Sequence, residues 1–140
     1  MILLDTNVIS EVLSRRPHKT AIRWLDEQEE ADLLLCPVVL AELYFGAYLV
    51  REVERHEMLL ENIALIRRRF AGRVLPFGDL PSEIYGRITT SRQIAGQRME
   101  TKDAMIAAIC LAHGAALATR NTRDFEGLDL TLVNPFEAGA

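Results

Sequence analysis

The chain is poor in the residues that cross-link or bind soft metals. Its 140 residues include two cysteines, Cys36 and Cys110, and three scattered histidines, His18, His56 and His113. Both cysteines sit in apolar stretches without metal-ligand spacing, so they read as buried, reduced thiols in a cytoplasmic setting. A disulfide scaffold and a zinc site are excluded on that ground. Long apolar runs are missing too. The longest stretch without a formal charge, Ala104 to Thr119, has 16 residues, short of the roughly 20 a membrane helix needs. No basic segment opens the chain, and Asp5 interrupts the first apolar run, so no signal peptide is read. Positive charge is not in excess either: 16 Lys and Arg against 20 Asp and Glu leave −4. A nucleic-acid partner would therefore have to be met by a local arginine cluster or by a bound cation, not by net charge.

What remains is an ordinary globular composition, 49% hydrophobic and 26% charged. The length suits one domain, expected over residues 1–136, with 137–140 as a loose tail. Met1 to Leu4 is apolar without helical period and reads as a buried strand ending at Asp5. Thr6 and Asn7 are good caps for a short helix through Leu13. A second helix is expected over about 19–29, a strand at Leu33 to Cys36, and a helix from Pro37 to about Leu49. Leu59, Ile63, Ile66 and Phe70 form one stripe of a long helix over about 51–71, with Gly72 as its cap. Further expectations are a strand at Arg73 to Pro76, helices over about 79–95 and from Thr101 to Gly114, and strands at Ala116 to Thr119 and Leu130 to Val133. Apolar runs alternating with helices mean an α/β fold with a mainly parallel sheet flanked by helices. Ligands of such sheets bind at the carboxyl ends of the strands.

Three acids stand in apolar company. Asp5 follows the first strand, Glu42 is the sole charge between Pro37 and Val50, and Asp103 opens a helix with no charge from Ala104 to Ala112. Each alone has an ordinary explanation: a cap for Asp5, a first-turn dipole partner for Asp103, an exposed strip for Glu42. Jointly they make most sense as carboxylates converging on a cation that offsets their repulsion. Asp124, in a loop after a strand, is a fourth candidate. Nearby Asn121 offers a neutral oxygen, and the Thr119 hydroxyl can orient a carboxylate.

Four segments in order resemble the motifs of PIN-domain ribonucleases, the toxins of VapBC-type pairs, including the FitB-like subgroup. They are Met1 to Ser10, Pro37 to Leu43, Lys102 to Ala108 and His113 to Phe125, and they span nearly the whole chain. Many members carry an acid directly after the Thr-Arg pair, where this chain has Asn121; the fourth role is open between Asn121 and Asp124. The resemblance implies a PIN-like fold and Mg²⁺-dependent (or Mn²⁺-dependent) endonucleolytic cleavage of RNA by activated water. It implies Asp5 and Asp103 as principal ligands, and Glu42 as a ligand through water or a base. Asp124 would complete the pocket, with Thr6 and Thr119 as supporting hydroxyls. It also implies a VapB-type antitoxin partner and a homodimer. Trp24, Tyr44, Phe45 and Tyr48 are candidate antitoxin contacts, since aromatics are enriched at interfaces. Arg67, Arg68 and Arg69, with Arg73, Arg92 and Arg98, are candidate RNA guides. Two alternatives stand beside this reading: a catalytically degenerate PIN module that only binds, and a phosphatase or phosphotransferase with Asp5 as nucleophile. Asn7 disfavours the second, which commonly needs another aspartate there.

Overall fold

In the computed structural model, residues 1–137 and Gly139 are described; the tail expected at 137–140 lies partly outside them, at Ala138 and Ala140. The elements run β1 (Ile2–Leu4), α1 (Thr6–Ile9), α2 (Lys19–Glu27), β2 (Leu33–Leu34), α3 (Pro37–Leu49), α4 (Val53–Arg69), α5 (Asp79–Ile94), α6 (Thr101–His113), β3 (Ala116–Ala118) and β4 (Leu132–Val133). Short 3₁₀ turns at Ser10–Leu13, Glu30–Asp32 and Thr122–Phe125 join them. This is the expected α/β architecture.

The four strands form one parallel sheet in the order β2-β1-β3-β4. Ile2, Leu3 and Leu4 pair with Ala116, Leu117 and Ala118 on one side, while Ile2 and Leu3 pair with Leu33 and Leu34 on the other. Leu3, Leu4, Leu117 and Ala118 are wholly buried, as strands covered on both faces require. The chain moves from β1 outward to β2, then returns to place β3 on β1's opposite side. The carboxyl ends of β1 and β3 thus flank the point where strand order reverses, the place where parallel sheets open a crevice.

Helix α6 packs on α5 and on the sheet through Ala104, Ala107 and Ala108, all fully buried. It stops at Gly114, whose φ of +65° is the left-handed cap a side chain disfavours.

Three expectations are corrected in detail. The cap of α1 is Asp5 itself, not Thr6 or Asn7, and helical geometry lasts only to Ile9 before tightening to 3₁₀. The segment Arg73 to Pro76 is a single bridge, Val74 beside Leu35, not a strand. Pro76 has no N–H with which to continue a ladder. The long helix closes at Arg69, with Phe70 as cap, two residues before Gly72. Among the described residues, no helix is long and apolar enough to cross a membrane.

Candidate active site

Asp5 is placed by the last rung between β1 and β3: its N–H donates to the Ala118 carbonyl at 2.9 Å. The chain then turns into α1, and the Thr6 N–H donates to Asp5 Oδ1 at 2.8 Å. The other oxygen, Oδ2, accepts from the Thr119 hydroxyl at 2.7 Å and from Asn7 Nδ2 at 3.3 Å. Asp5 is only 5% exposed. Burial raises its pKa and the neighbouring Glu42 adds to the rise, against the pull of the Thr119, Thr6 and Asn7 hydrogen bonds. A carboxylate so desolvated is costly until its charge is met.

Glu42 reaches the same crevice from α3. Its Oε1 accepts from the Thr6 hydroxyl at 2.8 Å, so the residue after Asp5 ties the first acid to the second. Its Oε2 lies 3.4 Å from Lys102 Nζ. Asp103 comes from the first turn of α6, where the helix dipole favours an anion. Burial nonetheless pushes its carboxyl up to about 6, helped by repulsion from Asp5, Glu100, Asp124 and Glu42. Acids remote in sequence therefore share one electrostatic neighbourhood.

Asp124 sits in the 3₁₀ turn after β3 and lines a cleft of about 420 Å³ together with Asp103. Arg92 of α5 holds that turn by donating to the backbone carbonyls of Asp124 and Glu126. Asn121 contributes its backbone, which donates to Thr119 Oγ1 at 3.1 Å; its side chain is exposed and Asp124 is the residue that lines the cleft.

The remaining candidates lie elsewhere. Arg69 pairs with Glu30 at 2.7 Å, ahead of the amino end of β2 and so away from the strand ends that carry the acids. Arg67 donates to the Tyr44 hydroxyl at 3.2 Å, Arg68 is exposed, and Arg73 bonds the carbonyls of Glu30, Leu33 and Arg69. Trp24 is 6% exposed and belongs to the core. That corrects its candidacy as a surface contact: it has no face to offer. Phe45 and Tyr48 are 67% and 66% exposed, and Tyr44 is half-buried. Three residues escaped the sequence reading of the site: Asn7, Lys102 and Arg123. Asn7 links Asp5, Thr119 and, through Oδ1, the Arg120 N–H at 3.0 Å. Asn7 and Lys102 lie close to motif acids in sequence, but only the fold brings Asn7 to Thr119 and Lys102 to Glu42.

The donors suit a small, hard divalent cation. The nearest soft donor, Cys36, is pushed up to about 11 by burial and stays a thiol. Among the described residues no three His, Cys, Asp or Glu groups are grouped closely enough to hold one ion directly. Glu42 is turned to Thr6 and Lys102. One or two carboxylates with water completing the shell is the habit of Mg²⁺ rather than of an ion in an all-protein cage.

The PIN domain family model matches residues 2–129. Among curated proteins, the plasmid stability protein StbB of Pseudomonas syringae pv. tomato is 42% identical, covering 99% of this chain and 100% of the relative. Toxin FitB of Neisseria gonorrhoeae is 36% identical, over 97% of this chain and 99% of FitB. VapC ribonuclease Y4jK of Sinorhizobium fredii is also 36% identical, over 98% and 99%. The crystal structure of FitAcB from Neisseria gonorrhoeae superposes with a TM-score of 0.93 at 36% identity, covering 98% of this chain and 99% of that one.

Proposed function

This chain belongs to the PIN-domain family, among the VapC/FitB-type ribonuclease toxins of type II toxin–antitoxin systems, and from that membership we propose metal-assisted hydrolysis of RNA centred on Asp5, Glu42, Asp103 and Asp124. The observation that carries it is the meeting of these acids, from four separate segments, around the carboxyl ends of β1 and β3.

Asp5 and Asp103 would hold Mg²⁺, or Mn²⁺ in its place, and Asp124 would complete the acidic wall. When bound, such an ion supplies an activated water and offsets charge developing on the phosphate. Thr119, the Thr6 N–H and Asn7 keep the Asp5 carboxylate in one orientation, so little reordering is needed when a ligand arrives. Glu42 is steadied through Oε1 by Thr6 and through Oε2 by Lys102 at 3.4 Å; Oε2, the longer and more readily opened contact, would accept a proton from the attacking water or bind through it. Water, not the ribose 2′-hydroxyl, is the nucleophile in this scheme, so the products carry a 5′-phosphate and a 3′-hydroxyl.

The partner we propose is an antitoxin whose apolar segment covers the exposed stripe of α3. Phe45 and Leu49 lie three and seven residues beyond Glu42, so the stripe begins beside the acid. An arginine of that partner would meet the acidic pocket. A homodimer is the assembly proposed for the chain itself.

The test is end-mapping of cellular RNA after brief induction, with Asp5→Asn as control. New 5′-phosphate ends appearing with the natural chain and absent with Asp5→Asn are expected. Equal ends from a folded Asp5→Asn protein would remove Asp5 from the chemistry.

A further inference from the structure

We propose that Arg98 and Arg123 form a two-point phosphate clamp that leads single-stranded RNA across the cleft between the α5–α6 loop and the Thr122–Phe125 turn. This rests on the ribonuclease reading and names the surface its substrate crosses.

The cleft has acids on its wall: Glu100, Asp103, Asp124 and Glu126. A polyanion cannot follow such a wall unless cations stand beside it. Most of the chain's arginines near ordered partners are already engaged. Arg69 pairs with Glu30, Arg87 with Glu83, and Arg92 bonds two backbone carbonyls. Arg98 and Arg123 differ. Both line the cleft, both are exposed, and among the described residues neither guanidinium makes a hydrogen bond or ion pair. Exposed, unpaired arginines are well suited to phosphate oxygens, which they grip through two parallel N–H donors.

Their positions set a direction. Arg98 lies in the loop before α6, upstream of Asp103, and Arg123 directly precedes Asp124. Arg98 is five residues from Asp103 and Arg123 one from Asp124, and the two arginines reach the cleft from different segments, the α5–α6 loop and the Thr122–Phe125 turn. A strand held by both passes its backbone over the acids. The cleft volume, about 420 Å³, lies in the roughly 300–1,000 Å³ range of small-ligand pockets. That scale admits an unpaired nucleotide. An unpaired strand can splay its bases and follow such a cleft, whereas a duplex keeps its bases in stacked pairs. Of the α4 arginines, Arg67 stands near Tyr44 and Arg69 near Glu30, and none of the three lines this cleft.

Binding of a fluorescent single-stranded oligoribonucleotide to the full-length chain tests the clamp. An Asp103→Asn background prevents cleavage during the measurement. Arg98→Gln with Arg123→Gln should weaken binding about tenfold and lower the slope of log affinity against log salt by about 1.4, the value for two lost phosphate contacts to a single strand. Arg98→Lys with Arg123→Lys keeps the charge and should restore most of the slope. Arg68→Gln should leave affinity and slope unchanged. An unchanged slope in the double Gln variant, or a slope lost with Arg68→Gln instead, overturns the clamp. Equal binding of the same oligonucleotide annealed to its complement overturns the single-strand assignment, and equal competition by a poly-glutamate chain would make the surface one for acidic peptides. Failure here is separable from failure of the nuclease reading. If the natural chain produces new RNA ends while the double Gln variant binds normally, only the clamp falls; if the natural chain produces none, the ribonuclease reading falls.

Discussion

Asp5 carries more hydrogen bonds than any other acid of the site, and the one from Thr119 is the most exposed to test. Thr119 is fully buried; its hydroxyl donates to Asp5 Oδ2 and accepts from the Asn121 N–H. Thr119→Val keeps the shape but leaves the buried Asp5 Oδ2 with only its longer bond from Asn7 and the Asn121 amide without its acceptor. We expect a loss of about 1–3 kcal/mol in unfolding free energy and at least a tenfold drop in cleavage, with Thr119→Ser retaining most of both. Denaturant unfolding and a cleavage assay on the two variants check this; equal behaviour of Val and Ser would show the hydroxyl to be idle. Asp103 supplies the pH dependence. Its carboxyl titrates near 6 in the folded chain against an ordinary 3.8, so between those values the folded chain holds a proton that the unfolded chain has released. Metal-free stability from this group is therefore present at low pH and is lost as pH rises through about 6. Cleavage should run the other way, falling toward acid pH as protons compete with the cation for Asp103. Asp103→Asn should raise metal-free stability at neutral pH by about 1 kcal/mol, allowing for solvent screening of a half-exposed group. An unchanged urea midpoint would contradict that assignment of strain.

At the scale of elements, the site depends on pieces that hold other pieces. The turn carrying Asp124 is not part of the sheet; Arg92 of α5 fastens it through the carbonyls of Asp124 and Glu126. Arg92→Met should raise amide hydrogen exchange across residues 122–126 and lower kcat more than it raises KM, because Asp124 would lose its position rather than its charge. Protection equal to the natural chain would deny Arg92 that role. Gly114 does similar service at the other end of α6. Nothing lies within 4 Å of a side chain built there, yet its φ is +65°, so Gly114→Ala costs conformational strain alone. The expected loss is about 1–2 kcal/mol in denaturant unfolding, with cleavage rate intact below the transition.

Across the whole molecule, the active crevice and the exposed apolar stripe of α3 adjoin. Phe45, Tyr48 and Leu49 are each about two-thirds exposed, which is unusual for side chains of this kind grouped on one helix. If the proposed antitoxin lies there, Phe45→Asp with Tyr48→Asp should abolish its capture and its protection of growing cells while leaving RNA cleavage in vitro unchanged. Normal neutralisation by the antitoxin would place its contact elsewhere, and a shift from dimer to monomer in sedimentation would assign the stripe to self-association.

Much of this was legible in the linear chain. Short apolar runs such as Ile2 to Leu4 and Ala116 to Ala118, alternating with helices, read as buried strands, so the parallel α/β class followed from that alternation. The acids stood out because a carboxylate among aliphatic residues demands a counter-charge. Helices α3 to α6 were readable within about two residues at each end from caps and apolar spacing, whereas Arg73 to Pro76 was not, because one bridge and a strand look alike without their partner. What sequence could not express was adjacency. Trp24 looks like any interface aromatic until packing hides it, and Arg123 looks like any loop cation until the fold sets it in the same cleft as Arg98. Asn7 gains its meaning only because β1 and β3, 112 residues apart at Thr119, end side by side. Local chemistry is written in the order of residues; which charges meet is decided by long-range strand pairing, and that is a property of the folded chain alone.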